Sequence, residues 1–342
     1  MIITKTELET RCKDLLVRAG TPDKAAALAA ETLVNADMRG IHSHGVVRIA
    51  RYLDCILSGG INPAAEVQVI EDTPCLLRLS AAGGRGIPAA CMATEKLIEK
   101  AEKMPLAAVC VNHSDHYGAA GYYAMKCAEK GLIGFSMSNT VPLIAVTGAA
   151  SAAIGNNPSA YAAPAGRYRA ILFDVCMSVV ASGKIQIASA QGESIPEGWI
   201  LDSDGNPTTD ADQIFKGAIM LPFAGHKGYG FALMVELLSG VLADAGVLSG
   251  VHSWNEVPGR DADTGHFFMA INPAFFGGLD RFTSRVEAMI DELKSAKKSA
   301  GTDKIYYPGE IEFARENRAY ADGIDLPDAS VEELERANAL LK

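Results

Sequence analysis

The chain has no Cys-x-x-Cys pair, no Gly-x-Ser-x-Gly elbow, no Gly-x-x-x-x-Gly-Lys-Ser/Thr loop and no basic excess. Each absence closes a class. Without the elbow, a serine hydrolase of the α/β type is not indicated, and without the phosphate loop neither is nucleotide hydrolysis. A net charge of −10 leaves nothing to offset phosphate repulsion, which argues against nucleic acid or an anionic membrane as partner. Seven cysteines (Cys12, Cys55, Cys75, Cys91, Cys110, Cys127, Cys176) lie far apart among apolar neighbours. An odd, scattered set points to reduced thiols and a cytoplasmic home. The opening "MIITKTELETRCKD" is a polar helix start, so no signal peptide is expected. Charged residues are 21% and hydrophobic residues 49%, a balance that excludes disorder. The longest apolar stretch, "GYGFALMVELLSGVLADAG", carries Glu236 and several glycines, and reads as a buried helix, not a membrane span. "KSAKKSAG" from Lys294 follows acidic residues and reads as a solvated helix face.

At 342 residues, one large or two closely packed domains are expected. Thr4 with Glu7 forms a capping box, Gly20 stops that helix, and Thr21-Pro22 starts a second. A third is expected from Ser43, with Val46, Ile49, Leu53 and Ile56 as its apolar stripe. The middle alternates strand-like runs (Cys75 to Ala81, Leu106 to Val111, Leu132 to Thr140, Ile171 to Ser178) with helical ones, such as Pro88 to Lys103. That alternation predicts an α/β body whose sheet is mixed or mainly parallel. Ser330 with Glu333 is a second capping box near the end. The expected organisation is a helical module from residues 1–73 and 290–342, packed on a body of residues 74–289.

Histidine is scarce, seven in all, yet two stretches concentrate it. In "GIHSHGVVRIARYL", a helix from Ser43 would align His44, Arg48 and Tyr52 at i, i+4 and i+8. A guanidinium fork there can hold a carboxylate, and an imidazole can move a proton on a neighbouring oxygen. An amphipathic helix with a solvated polar face explains the same spacing equally well. The second stretch, "NHSDHYGAAG", puts His113 and His116 just beyond an apolar strand, where α/β proteins bind ligands. A zinc-dependent hydrolase using His42, His44, His113 and His116, with Asp115 or Asp174, is the alternative. "GRGIPA" (Gly84 to Ala89) fits a dinucleotide fingerprint, but the next strand ends in Asn112 and His113, not the acidic residue that motif needs. Lys227, flanked by glycines at a helix start, suits a phosphate group.

Taken in order, "ADMRGIHSHGVVRIARYL", "NHSDHYGAAGYYA", "GNNPSAYAAP", "ILFDVCMS", "GWILDSDGNPTTD", "LPFAGHKGYGFALMVELLSG" and "YYPGE" resemble the malate/L-lactate dehydrogenase-like oxidoreductases over roughly residues 2 to 325. That resemblance implies a nicotinamide-dependent 2-hydroxy-acid dehydrogenase of non-Rossmann topology, and a homodimer. It implies His44 as proton donor and acceptor with Ser43 as relay, although ureidoglycolate dehydrogenases give that role to the histidine matching His116. It implies Arg48 as the carboxylate ligand, with Tyr52 and Asn156 shaping the substrate pocket. Cofactor contacts carry over to His116, Tyr117, Gly118, Ala119, Ala120, Thr140, Asp174, Val175, Cys176, Lys227, Gly228, Gly309 and Glu310. Glu310 would repel a 2′-phosphate, which favours NAD over NADP. Two departures stand out: Asn156 replaces a threonine, and no aspartate lies near Lys184, which favours 2-hydroxy-acid oxidation over imine reduction.

Overall fold

A computed structural model describes all 342 residues. β1 (Ile2–Ile3) leads into α1 (Lys5–Arg18), where the Thr4 hydroxyl accepts the Glu7 N–H at 3.3 Å. Gly20, at φ +89°, ends that run, and α2 (Asp23–Met38) follows Pro22. The continuous helix expected from Ser43 does not form. Two 3₁₀ turns, His42–His44 and Val46–Arg48, precede α3 (Ile49–Leu57). The cause is the buried Asp37 carboxylate, which accepts the Val46 N–H at 2.8 Å and meets His42 Nδ1 at 2.8 Å. Its pull leaves Gly45 extended, and a Cβ there would sit 2.2 Å from the carboxylate. Hydrogen bonds to a buried charge contribute about 1.5–3 kcal/mol each, enough to override a short helix's propensity.

The body continues through β2 (Gln68–Asp72), β3 (Leu76–Ser80), α4 (Gly86–Ala101), β4 (Leu106–Ser114), α5 (Ala120–Ala128) and β5 (Ile133–Ser138). Next come β6 (Pro142–Ala145), β7 (Ala152–Gly155), β8 (Ser159–Pro164), β9 (Ala170–Val175) and α6 (Ser182–Ala190). After β10 (Ile200–Leu201), β11 (Pro207–Thr208) and β12 (Ile219–Met220), α7 (His226–Glu236) runs into a π turn at Leu237–Val241. β13 (Thr264–Ile271), α8 (Leu279–Ser295), α9 (Glu310–Asp322), β14 (Ile324–Asp325) and α10 (Asp328–Leu340) complete the chain. No helix is long and apolar enough to cross a membrane.

The main sheet is mixed, in the order β2-β3-β4-β13-β5-β8-β9. Only β3 and β4 pair in parallel, yet β3, β4, β5 and β9 all point the same way in space. Their carboxyl ends therefore share one edge, with the starts of β8 and β13 between them. A smaller sheet, β11-β10-β12-β6-β7, packs beside it. Ala89, Ala93 and Leu97 of α4 and Tyr123, Ala124 and Cys127 of α5 pack in one cluster with Val109, Val111 and Phe268 of the main sheet. A second cluster joins the two chain ends: Leu8, Leu33 and Leu53 pack with Leu326, Leu334 and Ala337. The division expected after residue 73 falls just past β2, which already belongs to the sheet, and that before residue 290 falls inside α8.

Three further expectations change. α10 starts at Asp328, behind Pro327, so Ser330 is buried in its first turn instead of capping it. Lys294 is no solvated side chain, because its ammonium pairs with Glu310 at 2.7 Å. The stretch around α7 is buried only in part. Glu236 lies inside, accepting N–H groups from Asn139, Asn157 and Leu248 at 2.8–3.3 Å. Phe231, Leu237, Val241 and Leu242, in contrast, are each more than half exposed.

Candidate active site

The loops leaving the shared sheet edge carry most of the residues singled out above. β4 and β5 are tied there by His266 of β13, whose Nδ1 and Nε2 meet the hydroxyls of Ser138 and Ser114 at 2.9 and 2.8 Å. His266 is stacked on Tyr117 at 4.4 Å, and desolvation lowers its pKa to about 3. It is a buried, satisfied histidine that fixes where the next residues emerge. One step beyond β4, the Asp115 carboxylate accepts the His116 N–H. Burial raises the pKa of Asp115 to about 6, an effect opposed by that N–H and by the nearby Arg85 cation.

His116 is the centre of the cluster. The Tyr52 hydroxyl lies 2.7 Å from its Nδ1, and the Gly118 N–H approaches the same nitrogen at 3.4 Å. The His44 ring stacks at 5.7 Å between centroids, and the Trp254 ring at 4.8 Å. The Arg48 guanidinium lies 5.8 Å from the Trp254 ring centroid, and its Nε donates to the Ser43 carbonyl at 2.6 Å. The Ser43 hydroxyl, in turn, lies 2.9 Å from His44 Nδ1. Ser43, His44, Arg48 and Tyr52 thus gather beside His116, with Tyr52 bonding it across 64 residues of sequence, although Tyr52 is buried rather than on a solvated face.

Both imidazoles are held neutral. Desolvation, and then the Arg48 cation, push His44 down to about 4. His116 is pushed well below its usual range, first by desolvation and then by its charge coupling to His44, Arg48, His266 and Arg85, of which the two guanidiniums are the standing cations. A neutral imidazole can accept a proton across the physiological range.

The other residues named from the sequence fall into separate groups along the body. Thr140 donates its hydroxyl to the Asn156 side-chain oxygen at 3.2 Å, and the Met177 N–H donates to the Asn156 carbonyl at 2.8 Å. Thr140, Asn156 and the Val175-Cys176 segment therefore share one patch of the edge. Asp174 accepts the Gly121 N–H at 2.7 Å in the first turn of α5, which places it beside Ala119 and Ala120. The Gly309 backbone packs on β9, where a Cβ would sit 2.9 Å from Leu172. Lys227 stands exposed in the first turn of α7, and Gly228 is buried against the Phe223 carbonyl. The fit to a dinucleotide rests on the exposed Lys227 ammonium at the start of α7, which can meet a phosphate oxygen, whereas at the start of α5 the Gly121 N–H is already taken by Asp174.

Glu310 departs from expectation. Its carboxylate is paired with Lys294 at 2.7 Å and Lys304 at 2.8 Å, which weakens the repulsion it would exert on a 2′-phosphate. The zinc alternative fails on geometry. His42 is bound to Asp37 and His113 to Asp263 at 3.0 Å, away from the His44–His116 pair. No group of three or more His, Cys, Asp or Glu side chains is placed to hold a metal ion. Two members of the cluster escaped the sequence reading. Trp254, one of only two tryptophans, sits in a turn-rich loop with no periodic signal. Arg85 lies inside the "GRGIPA" stretch, whose fingerprint match lacks the acidic residue that motif needs.

The chain is similar to known proteins over nearly its whole length. The family described as malate/L-lactate dehydrogenase matches residues 3–335. The chain is 40% identical to malate dehydrogenase of Pyrococcus abyssi, over 97% of this chain and 92% of that one. It is 35% identical to the ureidoglycolate dehydrogenase (NAD(+)) of Escherichia coli O157:H7, over 96% and 93% of the two chains. The solved sulfolactate dehydrogenase of Methanocaldococcus jannaschii superposes with a TM-score of 0.91 at 32% identity, covering 99% of this chain and 97% of that one.

The depressed imidazole gives a direct expectation. A histidine with a lowered pKa stays neutral until the pH falls well below the ordinary value of about 6.5. Titration of the free protein, followed by histidine NMR resonances, should place the His44 midpoint near 4. A midpoint near 6.5 would refute the crowded, cation-flanked environment described here.

Proposed function

The chain belongs to the malate/L-lactate dehydrogenase family, and from that membership we propose that the cluster around His116 is its reaction centre. The enzyme is an oxidoreductase of 2-hydroxy acids, acting on their CH–OH group. The observation that carries the site assignment is the meeting of two neutral imidazoles and a guanidinium at one sheet edge. A bound nicotinamide ring supplies the hydride acceptor or donor at C4. Arg48 holds the substrate carboxylate, and its Nε bond to the Ser43 carbonyl fixes the fork beside His44. Tyr52 and Asn156 bound the space for the rest of the substrate.

Proton handling divides between the two rings. The Gly118 N–H can only donate, so His116 Nδ1 is an acceptor, and its hydrogen sits on Nε2. In that form His116 donates to the substrate oxygen. His44 has only the Ser43 hydroxyl on Nδ1, and a hydroxyl can donate or accept. Its ring is therefore free to change tautomer and to take the hydroxyl proton as hydride leaves C2. Ser43 steadies it through both states.

The substrate is a small 2-hydroxy acid of the malate, lactate, ureidoglycolate or sulfolactate kind. The cofactor is NAD, and NADP is admitted because Lys294 and Lys304 already neutralise Glu310. His116 through Ala120, Thr140, Asp174 through Cys176, Lys227, Gly228, Gly309 and Glu310 form its cradle. All seven cysteines are free, which suits the reducing cytoplasm. Cell fractionation checks that placement. A homodimer accounts for the apolar side chains left exposed around α7, which a second copy would cover.

Positioned acid–base catalysis contributes roughly 10²–10⁴-fold. In a panel of 2-hydroxy acids followed at the NADH absorbance band, His44→Ala should lose that much turnover and His116→Ala less. Arg48→Met should raise KM at least about tenfold while NADH fluorescence quenching persists. Wild-type rates in both histidine variants would end the mechanism, and a larger loss in His116→Ala would exchange the two roles. Light scattering should read about twice the 36.1 kDa chain mass. A monomer at micromolar concentration would contradict the dimer.

A further inference from the structure

We propose that Arg85 is a positioning residue for His116, acting through the Tyr52 phenol. This rests on the reading of His116 given above, and it starts from a cation that local structure does not account for. Arg85 precedes α4, in the loop leaving β3, and only 6% of it is exposed. Its Nε and Nη1 have no hydrogen-bond partner. A buried charge without compensation is costly, so a guanidinium persists there only where something else stabilises it. The compensation present is the nearby Asp115 carboxylate and, in direct contact, the face of the Tyr52 ring, whose centroid lies 4.5 Å from the guanidinium carbon.

The turn itself does not need an arginine. Close approach is the work of Gly86, where a Cβ would lie 2.0 Å from the Asp115 carbonyl, and of Gly84, pressed on Ala65 and the Ala81 carbonyl. Gly86 locks the start of α4 against the loop that carries His116, and Gly84 closes the turn before it. They thereby deliver Arg85 to the ring whose hydroxyl, on its other end, meets His116 Nδ1 at 2.7 Å. The three groups form a line from cation to phenol to imidazole, drawn from three separate elements.

The physical consequence is directional. A cation on an aromatic face draws electron density from the ring, and a phenol so polarised is a stronger donor through its O–H. The acceptor is Nδ1, which already faces the Gly118 N–H. Arg85 thus reinforces one tautomer of His116, with hydrogen on Nε2, and resists protonation of the ring. Other groups facing His116 act on the same equilibrium: His44 and Arg48 from the turns before α3, His266 from β13, and the neighbouring Asp115 carboxylate. Asp115 opposes the cations in sign, and Arg85 is the cation that also holds Tyr52.

Charge and bulk are separated by Arg85→Met and Arg85→Lys. Histidine-selective ¹⁵N NMR of the free protein reads His116 without any substrate, so this test stands even if no 2-hydroxy acid is turned over. In wild type and Arg85→Lys, His116 should stay neutral with an unprotonated Nδ1 to the lowest folded pH. In Arg85→Met its protonation should set in above that limit, within the folded pH range. With substrate, the acid limb of kcat/KM should move the same way. If Arg85 acts through the phenol, adding Arg85→Met to Tyr52→Phe should cost little beyond Tyr52→Phe alone. The proposal is overturned if Arg85→Met titrates like wild type, if the Lys and Met variants shift alike, or if the double variant shows the full additive loss. Should Arg85→Met not fold, Arg85→Gln carries the same comparison. Failure to turn over 2-hydroxy acids in the wild type would instead count against the function.

Discussion

The hydrogen bond between the Tyr52 hydroxyl and His116 Nδ1 is the constraint on which this structure's chemistry depends. It ties α3, built from the amino-terminal helices, to the loop that leaves β4 at the carboxyl edge of the sheet. Around it the His44, Trp254 and Tyr52 rings lie within 6 Å of the His116 ring, centroid to centroid. The crowding removes water from both imidazoles, and the guanidiniums nearby make a further positive charge unwelcome. A pair of bases at neutral pH follows from packing as much as from residue type.

The rest of the fold serves that meeting. His266 pins the ends of β4 and β5 by bonding a serine on each. Asp37 breaks the helix at Gly45, so that Ser43 and His44 sit on a short turn instead of inside a regular helix. Glu236 anchors Asn139 and Asn157, whose neighbours Thr140 and Asn156 face each other beside the site. Each is a buried polar group with its partners in place, the condition under which such groups add order instead of cost.

Much of this was legible in the sequence. The helix signals at Thr4, Gly20 and Pro22, the four strand runs and the resemblance carried by seven ordered motifs led to the observed elements. Composition could not separate His44 and His116 from His42 and His113, which share their stretches but turn to Asp37 and Asp263. Local periodicity favoured a helix through Gly45 because the opposing carboxylate is contributed from α2. Trp254 and Arg85 were invisible for the same reason. Their roles come from tertiary approach, and neither lies in a pattern of period two or 3.6. The pairing of Glu310 was not legible either, because its two lysine partners, six and sixteen residues away, meet it only through the fold.

The central claim is that this crowded junction moves a hydride to or from C2 of the substrate while a neighbouring imidazole handles the proton. The direct measurement is to reduce a 2-oxo acid with NADH deuterated at nicotinamide C4, in ordinary water, and to locate the label. The account predicts deuterium at C2 of the 2-hydroxy acid product, with the hydroxyl hydrogen drawn from solvent. Product carrying solvent hydrogen at C2, with the label lost to water, would contradict it.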